Sequence, residues 1–394
     1  MIAQGLSLRV LVPLLFVLTC AASPMPAVRT VSLTAADGAT LKASYFAAAK
    51  PGPGVLLLHQ CNQQRKMWDS LAEHLATSGI NVLTLDYRGF GESGGARFDQ
   101  LTPQQANQMV TETWPSDIDV AYQYLLSQPG VSHDVIGAGG ASCGVNQSIQ
   151  LARRHPEVKS LVLLSGGTDR NGRAFLKSST RLPIFIAAAD DDVGGGVVET
   201  MRWLFSLSPN PDNRFERYAV GGHGVEMFAA HKELPGMIVD WFGVTLLKKP
   251  GSALKTNGTP LAAETVRALE LIDQPGGASR AASMLGETRQ RDPRAVLFSE
   301  GIVNLLGYEH LQSGDTKGAV EIMKLNATAY PNSPNVYDSL SDAYLADGQN
   351  DLARENAQKA LGLLAGDTKD KEQRRKAIRT SAEQKLKQLD KTPR

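Results

Sequence analysis

The chain has 394 residues, of which 42% are hydrophobic, and this is enough to build a substantial core in two domains. Its 41 Lys and Arg residues are balanced by 40 Asp and Glu residues, so the formal net charge is +1. A near-neutral chain gives no reason to expect a nucleic acid or a strongly acidic partner.

Residues 1–22 have the pattern of a secretory signal peptide. An arginine precedes the apolar run Val10 to Leu18, and small residues follow that run. The run is too short to span a bilayer, and its flanks are those of an export signal. We expect cleavage near Ala22 or Ser23, export to the periplasm or the medium, and no stable membrane span afterwards. Retention of the segment as an uncleaved anchor is a lesser alternative, and so is lipid attachment at Cys20, where the preceding residue is threonine.

Short strand and helix patterns alternate through residues 23–247. Two alternating segments flank a turn at Asp37-Gly38 and predict an antiparallel hairpin, at residues 29–34 and 40–46. Apolar runs then predict buried strands at 54–59, 82–85, 135–138, 161–164, 184–188 and 214–219. Helical patterns fall between them at 68–78, 117–126, 145–154 and 197–206. This alternation predicts a mostly parallel sheet covered by helices on both faces.

The segment Gly140-Ala141-Ser142-Cys143-Gly144 reads G-x-S-x-G and lies between a predicted strand and a predicted helix. A nucleophile elbow needs this context, because its sharp turn exposes the serine hydroxyl and leaves no room for side chains on either side. By itself the pattern is equally compatible with a chance turn, since the chain has 37 glycines.

Several motifs in chain order resemble the α/β-hydrolase family. They are Leu58-His59, the run from Asp86 to Gly95, the G-x-S-x-G at Ser142, and His155-Pro156 before an apolar strand. The resemblance covers roughly residues 28–247 and implies an α/β-hydrolase fold. It also implies a serine, an acid and a histidine in that order along the chain.

The resemblance assigns the catalytic residues one by one. The strand at 184–188 leads into three adjacent aspartates, and the family's G-x-x-D pattern falls on Asp192, with Asp191 as the second candidate. His223, in a glycine-rich loop after the strand at 214–219, matches the family's histidine. With Ser142 these residues would cleave a small acyl substrate, an ester, thioester or small amide, through an acyl-enzyme, as a carboxylesterase-like serine hydrolase does.

The oxyanion hole is expected at the backbone of Cys143 and of Gln60 or Cys61. The family normally has glycine after His59, so Gln60 predicts strain in that loop. The backbones of Cys61 and Cys143 should face each other near the Cα separation of a disulfide. Two alternatives stay open, a disulfide or two separate buried thiols, and the second is the default because facing backbones do not fix the Cβ directions.

Two further features bear on specificity and cofactors. The segment 96–114 carries its own apolar residues and would form part of a lid or pack on the rim of the site. The sequence has no phosphate loop, dinucleotide fingerprint or cluster of metal ligands, so we expect neither a cofactor nor a metal.

The second half of the chain predicts helices only. Residues 248–294 have linker chemistry with helical segments near 261–272 and 278–289, and residues 295–365 contain a 34-residue self-similarity in which Leu306, Gly314 and Ala319 recur. This period resembles the tetratricopeptide repeat. Such repeats would bind a protein or peptide partner, or would be a structural appendage that packs on the hydrolase domain or dimerises. Residues 366–394 predict a charged, solvated helical tail.

The sequence is therefore compatible with two classes of function. The first is an exported serine hydrolase with an accessory helical module. The alternative is an interaction protein with a catalytically weak hydrolase fold, and Gln60 is the residue that keeps this alternative open.

Overall fold

The structure is a computed structural model that describes residues 28–192, 196–250, 256–368 and 370–391. The predicted signal peptide, with Cys20, lies outside these residues. Within the described ranges no helix has the length and apolar character needed to cross a membrane.

One eight-stranded sheet organises the first half of the chain. Its strands are β1 (Val28–Thr34), β2 (Thr40–Phe46), β3 (Gly52–Leu58), β4 (Asn81–Leu85), β5 (Val131–Ala141), β6 (Val158–Leu164), β7 (Ile184–Ala189) and β8 (Arg214–Tyr218). Their order across the sheet is β1-β2-β4-β3-β5-β6-β7-β8. β2 pairs antiparallel with β1 and β4, and all other pairs are parallel. The predicted hairpin and mostly parallel sheet are confirmed.

Helices cover both faces of this sheet, as its buried strands require. They are α1 (Asp69–Thr77), α2 (Pro103–Gln108), α3 (Trp114–Ser127), α4 (Cys143–Arg154), α5 (Arg170–Ser178), α6 (Gly196–Leu207), α7 (Met227–Ala230) and α8 (Leu234–Thr245). Because successive side chains of a strand point to opposite faces, Val55 and Leu57 belong to the core under α1 and α8. Leu56 and Leu58 belong to the core under α3, α4 and α6.

The segment 96–114 packs on the rim of the sheet. Trp114 is fully buried and stacks on Tyr87 with ring centroids 4.4 Å apart, and Phe98 packs against the same tryptophan. Gln147 of α4 donates a hydrogen bond to the carbonyl of Val110 at 2.9 Å. These contacts correspond to the rim alternative rather than to a free lid.

The C-terminal half is helical throughout its described residues. Its helices are α9 (Ala263–Ile272), α10 (Gly277–Arg291), α11 (Glu300–Gln312), α12 (Thr316–Ala329), α13 (Pro334–Ala346), α14 (Asn350–Leu364) and α15 (Glu372–Asp390). Helices α11 and α13 begin at residues 300 and 334, and α12 and α14 at 316 and 350, so the pair recurs after 34 residues. The tetratricopeptide identity of these pairs stays a prediction.

The prediction of a solvated tail is wrong. Helix α15 packs against α13 and α14, and it buries Ile378, Ala382 and Leu389 along one face. Lys385 lies on the same face and donates to a carboxylate oxygen of Asp338 at 2.8 Å. Consecutive buried positions are three or four residues apart, as on one side of a helix, and the many charges on the other sides obscured them.

The helical region shares a core with the sheet domain. Ile302 and Leu306 of α11 belong to the same buried cluster as Met201 and Leu204 of α6. The helical region is therefore packed against the first domain, as one of the alternatives stated for it expects.

Candidate active site

Ser142 occupies a strained turn between β5 and α4. Its backbone has φ 55° and ψ −120°, a conformation that costs a non-glycine residue about 1–3 kcal/mol. The flanking glycines have no room for a side chain, because a Cβ on Gly140 would lie 2.0 Å from the carbonyl oxygen of Gly144. A Cβ on Gly144 would lie 2.3 Å from the carbonyl oxygen of Leu58. The turn therefore needs the G-x-S-x-G pattern, and it leaves Ser142 partly exposed at its tip.

His223 meets Asp192 through its Nδ1 atom. The ring nitrogen lies 2.9 Å and 3.0 Å from the two carboxylate oxygens. The Asp192 side chain is fully buried, whereas 26% of the His223 side chain is exposed. The hydrogen bond that His223 donates to Asp192 raises the pKa of His223 above its ordinary value, and it outweighs burial, which acts in the opposite direction. The carboxylate holds Nδ1 as the protonated nitrogen, so Nε2 is left to accept a proton.

The three adjacent aspartates have different partners. Asp191 accepts hydrogen bonds from the backbone N–H groups of Gly221 and Gly222, both at 3.0 Å. Asp190 pairs with Arg217 at 2.7 Å. The structure thus brings Asp192, and not Asp191, to the imidazole, while Asp191 fixes the loop that carries it.

The histidine loop lies against the residue that precedes the serine. A Cβ on Gly224 would be 3.4 Å from the Cβ of Ala141. Within the described part of the chain, His223 bonds to Asp192 through Nδ1 and no hydrogen bond joins it to Ser142. In unliganded active sites such bonds are often long and shorten when substrate binds.

Cys143 and Cys61 form a disulfide with a Cα separation of 5.9 Å. The prediction that their backbones face each other is confirmed, and the default of two separate thiols is wrong. The pairing of β3 with β5 sets Leu58 opposite Gly140. Cys61 and Cys143, which lie just beyond the ends of these two strands, are therefore at the same edge of the sheet. Cys143 is also the first residue of α4, where a backbone N–H has no partner within the helix.

Gln60 does not strain the loop after β3, and that expectation is wrong. The described non-glycine residues with positive φ are Ser142, Ser165 and Lys248, so Gln60 has an ordinary backbone. Its side chain is fully buried. The Gln60 Oε1 atom accepts a hydrogen bond from the backbone N–H of Val225 at 3.2 Å.

Gln60 therefore ties the predicted oxyanion loop to the loop that carries His223. The sequence indicated this position only as a departure from the family pattern, and the bridging role depends on a contact between residues 165 positions apart.

His59 is hydrogen-bonded to the same loop through its buried imidazole ring. The backbone N–H of Tyr87 donates to His59 Nε2 at 3.0 Å, so the proton is on Nδ1, which donates to the carbonyl of Gln60 at 2.8 Å. Burial lowers the pKa of His59 to about 4, and the ring is neutral at pH 7. A neutral ring in this position orients the Gln60 peptide and takes no part in proton transfer.

Two cavities lie apart from Ser142 and His223. One of about 540 Å³ is at the opposite end of the sheet, where β5 to β8 begin, and touches none of the predicted catalytic residues. One of about 380 Å³ lies between the 96–114 segment, the start of α5 and the end of α11, and its lining residues are all polar. Within the described ranges, no group of three or more His, Cys, Asp or Glu side chains is arranged to hold a metal ion.

Comparison with known proteins supports the assignment of the fold. Residues 53–204 match the family model described as alpha/beta hydrolase fold. An uncharacterised protein of Mycobacterium tuberculosis is 31% identical over 151 residues, which are 38% of this chain and 49% of that protein. A thiohydrolase of Aspergillus aculeatus is 28% identical over 115 residues, which are 28% of this chain and 33% of that protein. This chain thus spans half or less of the length of these curated relatives.

Solved structures also resemble this chain. An esterase of Pyrococcus furiosus is similar with a TM-score of 0.45 and 18% identity, over 55% of this chain and 92% of the esterase. The family match and the strand order assign the α/β-hydrolase fold to the first half of the chain, and an all-helical region follows it.

Proposed function

We propose that this chain is a serine hydrolase that cleaves an ester, a thioester or a small amide through an acyl-enzyme intermediate. The observation that carries the proposal is the hydrogen bond between His223 Nδ1 and the buried carboxylate of Asp192, in a chain that also has a serine at a turn with nucleophile-elbow geometry. A histidine held in this way has its Nε2 free to accept the proton of a serine hydroxyl.

In the proposed reaction, Ser142 Oγ attacks the acyl carbon while His223 takes the hydroxyl proton. Asp192 stabilises the imidazolium that forms. The negative charge that develops on the acyl oxygen is stabilised by the backbone N–H of Cys143, which also lies at the positive end of the α4 dipole. The second donor is the backbone N–H of Gln60 or Cys61. The disulfide that joins Cys61 to Cys143 holds the two sides of this oxyanion hole together.

His223 then returns its proton to the leaving group, and a water molecule activated by the same histidine cleaves the acyl-enzyme. The name of the thiohydrolase relative is the reason to include thioesters among the first substrates tested. A disulfide is typical of oxidising compartments, and this supports the proposal that the protein is exported to the periplasm or secreted.

The test is a series of p-nitrophenyl esters of increasing acyl length, with Ser142→Ala as the matched variant. We expect the wild-type protein to hydrolyse at least the short esters and Ser142→Ala to lose this activity. The melting temperature should change little, because the serine hydroxyl is at the tip of the turn and contributes little to packing. Equal activity in the two proteins would refute the proposed nucleophile. Absence of turnover in both would favour the competing class, an interaction protein with an inactive hydrolase fold.

A further inference from the structure

The segment that follows β6 runs directly beside the candidate nucleophile. A Cβ on Gly166 would lie 2.4 Å from the carbonyl oxygen of Ser142 and 2.6 Å from a methyl group of Val145. Between β6 and β7 the chain forms only the nine-residue helix α5. A large cap over Ser142 therefore does not come from this part of the sequence.

The next residue, Gly167, faces the C-terminal helical region. A Cβ built on Gly167 would lie 3.2 Å from the methyl group of Thr200 in α6 and 3.9 Å from Cδ2 of Leu305 in α11. Among the described residues no other atom comes within 4 Å of that position, apart from the chain neighbours of Gly167. Leu305 is only partly buried. One side of this space is thus Leu305, and the space is one residue, about 3.8 Å along the chain, from the backbone that touches Ser142.

Helix α11 is held firmly in this position. Its neighbouring residues Ile302 and Leu306 are in the core shared with α6. At its C-terminal end, Glu309 forms two hydrogen bonds with Arg173 of α5, at 2.7 Å and 2.8 Å, and the arginine is only 5% exposed. At its N-terminal end, a Cβ on Gly301 would lie 3.2 Å from the Cα of Gly196 in α6. A helix fixed at both ends forms a wall rather than a mobile lid.

We propose that α11 forms one wall of the acyl-binding pocket and that Leu305 limits the length of the acyl group. The inference rests on the proposed function of Ser142. The two groups that border the space are apolar: a methyl group of Thr200 and the Leu305 side chain. Such a wall selects a short, uncharged acyl chain, because a carboxylate or ammonium group placed there would lose its hydration without gaining a partner. The helical module is then part of the substrate site and determines specificity.

The test compares kcat/KM for a series of p-nitrophenyl esters from acetate to decanoate. Leu305→Ala removes three carbons from the wall and should move the preferred acyl length upward. Each methylene that an apolar pocket accommodates or excludes changes kcat/KM by about tenfold or more. The ratio of kcat/KM for octanoate to kcat/KM for butyrate should therefore rise by at least about tenfold. The matched control is Leu311→Ala on the same helix, because Leu311 packs against the repeat helices instead. It should leave the ratio unchanged.

Gly167→Ala provides the reciprocal change. Its backbone is not in the left-handed region, so alanine fits the conformation. The added methyl group would lie 3.2 Å from the methyl group of Thr200, which must shift by a few tenths of an ångström, and it would narrow the space beside Leu305. It should lower the octanoate to butyrate ratio, and the double variant should fall between the two single variants. This variant also tests the inference if Leu305→Ala does not fold.

The outcomes distinguish this inference from the proposed function. If turnover depends on Ser142 but the chain-length profile is the same in wild type, Leu305→Ala and Gly167→Ala, then α11 is not a wall of the pocket and only this inference fails. If Leu311→Ala shifts the profile as much as Leu305→Ala, the effect is a general loosening of the helix and the inference also fails. If wild-type turnover does not depend on Ser142, the proposed function is refuted, and this inference, which rests on it, is refuted as well.

Discussion

The role of Gln60 can be tested by replacing it with alanine. Its buried side chain accepts a hydrogen bond from the backbone N–H of Val225 and donates one to Asn62 at 2.8 Å. A Cβ on Gly224 would lie only 2.2 Å from Gln60 Oε1, so the amide fills the space beside the histidine loop. Gln60→Ala would leave a backbone N–H unpaired and a void next to the loop that carries His223.

The size of the effect follows from these contacts. Leaving a partly buried donor without its acceptor costs about 1–3 kcal/mol, and we expect the free energy of unfolding to fall by about 2 kcal/mol. For a domain of this size that corresponds to a decrease in melting temperature of roughly 4–8 °C. A displacement of a catalytic group by about 1 Å can cost a hundredfold in rate, so kcat should fall by roughly 10- to 100-fold. KM should change less, because Gln60 positions the histidine and does not form the acyl pocket.

The assay combines thermal unfolding with steady-state hydrolysis of the best p-nitrophenyl ester. Gln64→Ala is the matched control, because Gln64 lies in the same loop with an exposed side chain. Its melting temperature and kcat should equal those of the wild type. If Gln60→Ala behaves like Gln64→Ala in both measurements, Gln60 does not brace the histidine loop and the account of this residue is refuted.

Three further predictions concern the acid, the disulfide and the buried histidine. Asp192→Asn should lower kcat by about 10⁴-fold, because the imidazole loses the partner that fixes its tautomer. The carboxylate is also the main cause of the raised pKa of His223, so the acid limb of the kcat/KM profile should move to lower pH, and an unmoved limb would contradict the assignment. Mass spectrometry of a non-reduced protease digest should find a linked Cys61–Cys143 peptide, and two alkylatable thiols would contradict the structure. His59 has a folded-state pKa of about 4 against an ordinary 6.5. The stability that the folded state gains by keeping this ring neutral is therefore complete above pH 6.5 and is lost as the pH falls toward 4. Lowering the pH from 7 to 5 should therefore decrease the free energy of unfolding, measured in urea, by about 2 kcal/mol. A His59→Gln variant should lack that part of the pH dependence.

The fold was predictable because its signals are local. Apolar runs such as 54–59 and the alternation of strands with helices indicate a parallel sheet without any knowledge of contacts. The elbow at Ser142 was predictable for the same reason, since the two glycines and the serine are needed within one turn. The 34-residue period likewise indicated the positions of α11 to α14.

The features that were missed depend on contacts between distant residues. Facing backbones at Cys61 and Cys143 were expected from their places in the predicted oxyanion hole, but the direction of each Cβ depends on the detailed turn. Gln60 differs from the family pattern, and a residue type alone does not reveal the φ angle of a loop. The buried face of α15 was hidden by its many charges, and the packing of α11 on α6 joins residues about a hundred positions apart.

The proposal of a serine nucleophile is tested most directly by covalent labelling with a fluorophosphonate probe. The folded wild-type protein should gain the mass of one phosphonyl group, and peptide mapping should locate it on Ser142. The variants Ser142→Ala and His223→Ala should gain none or label far more slowly. A folded wild-type protein that takes up no label, or that takes it up at a residue other than Ser142, would contradict the account.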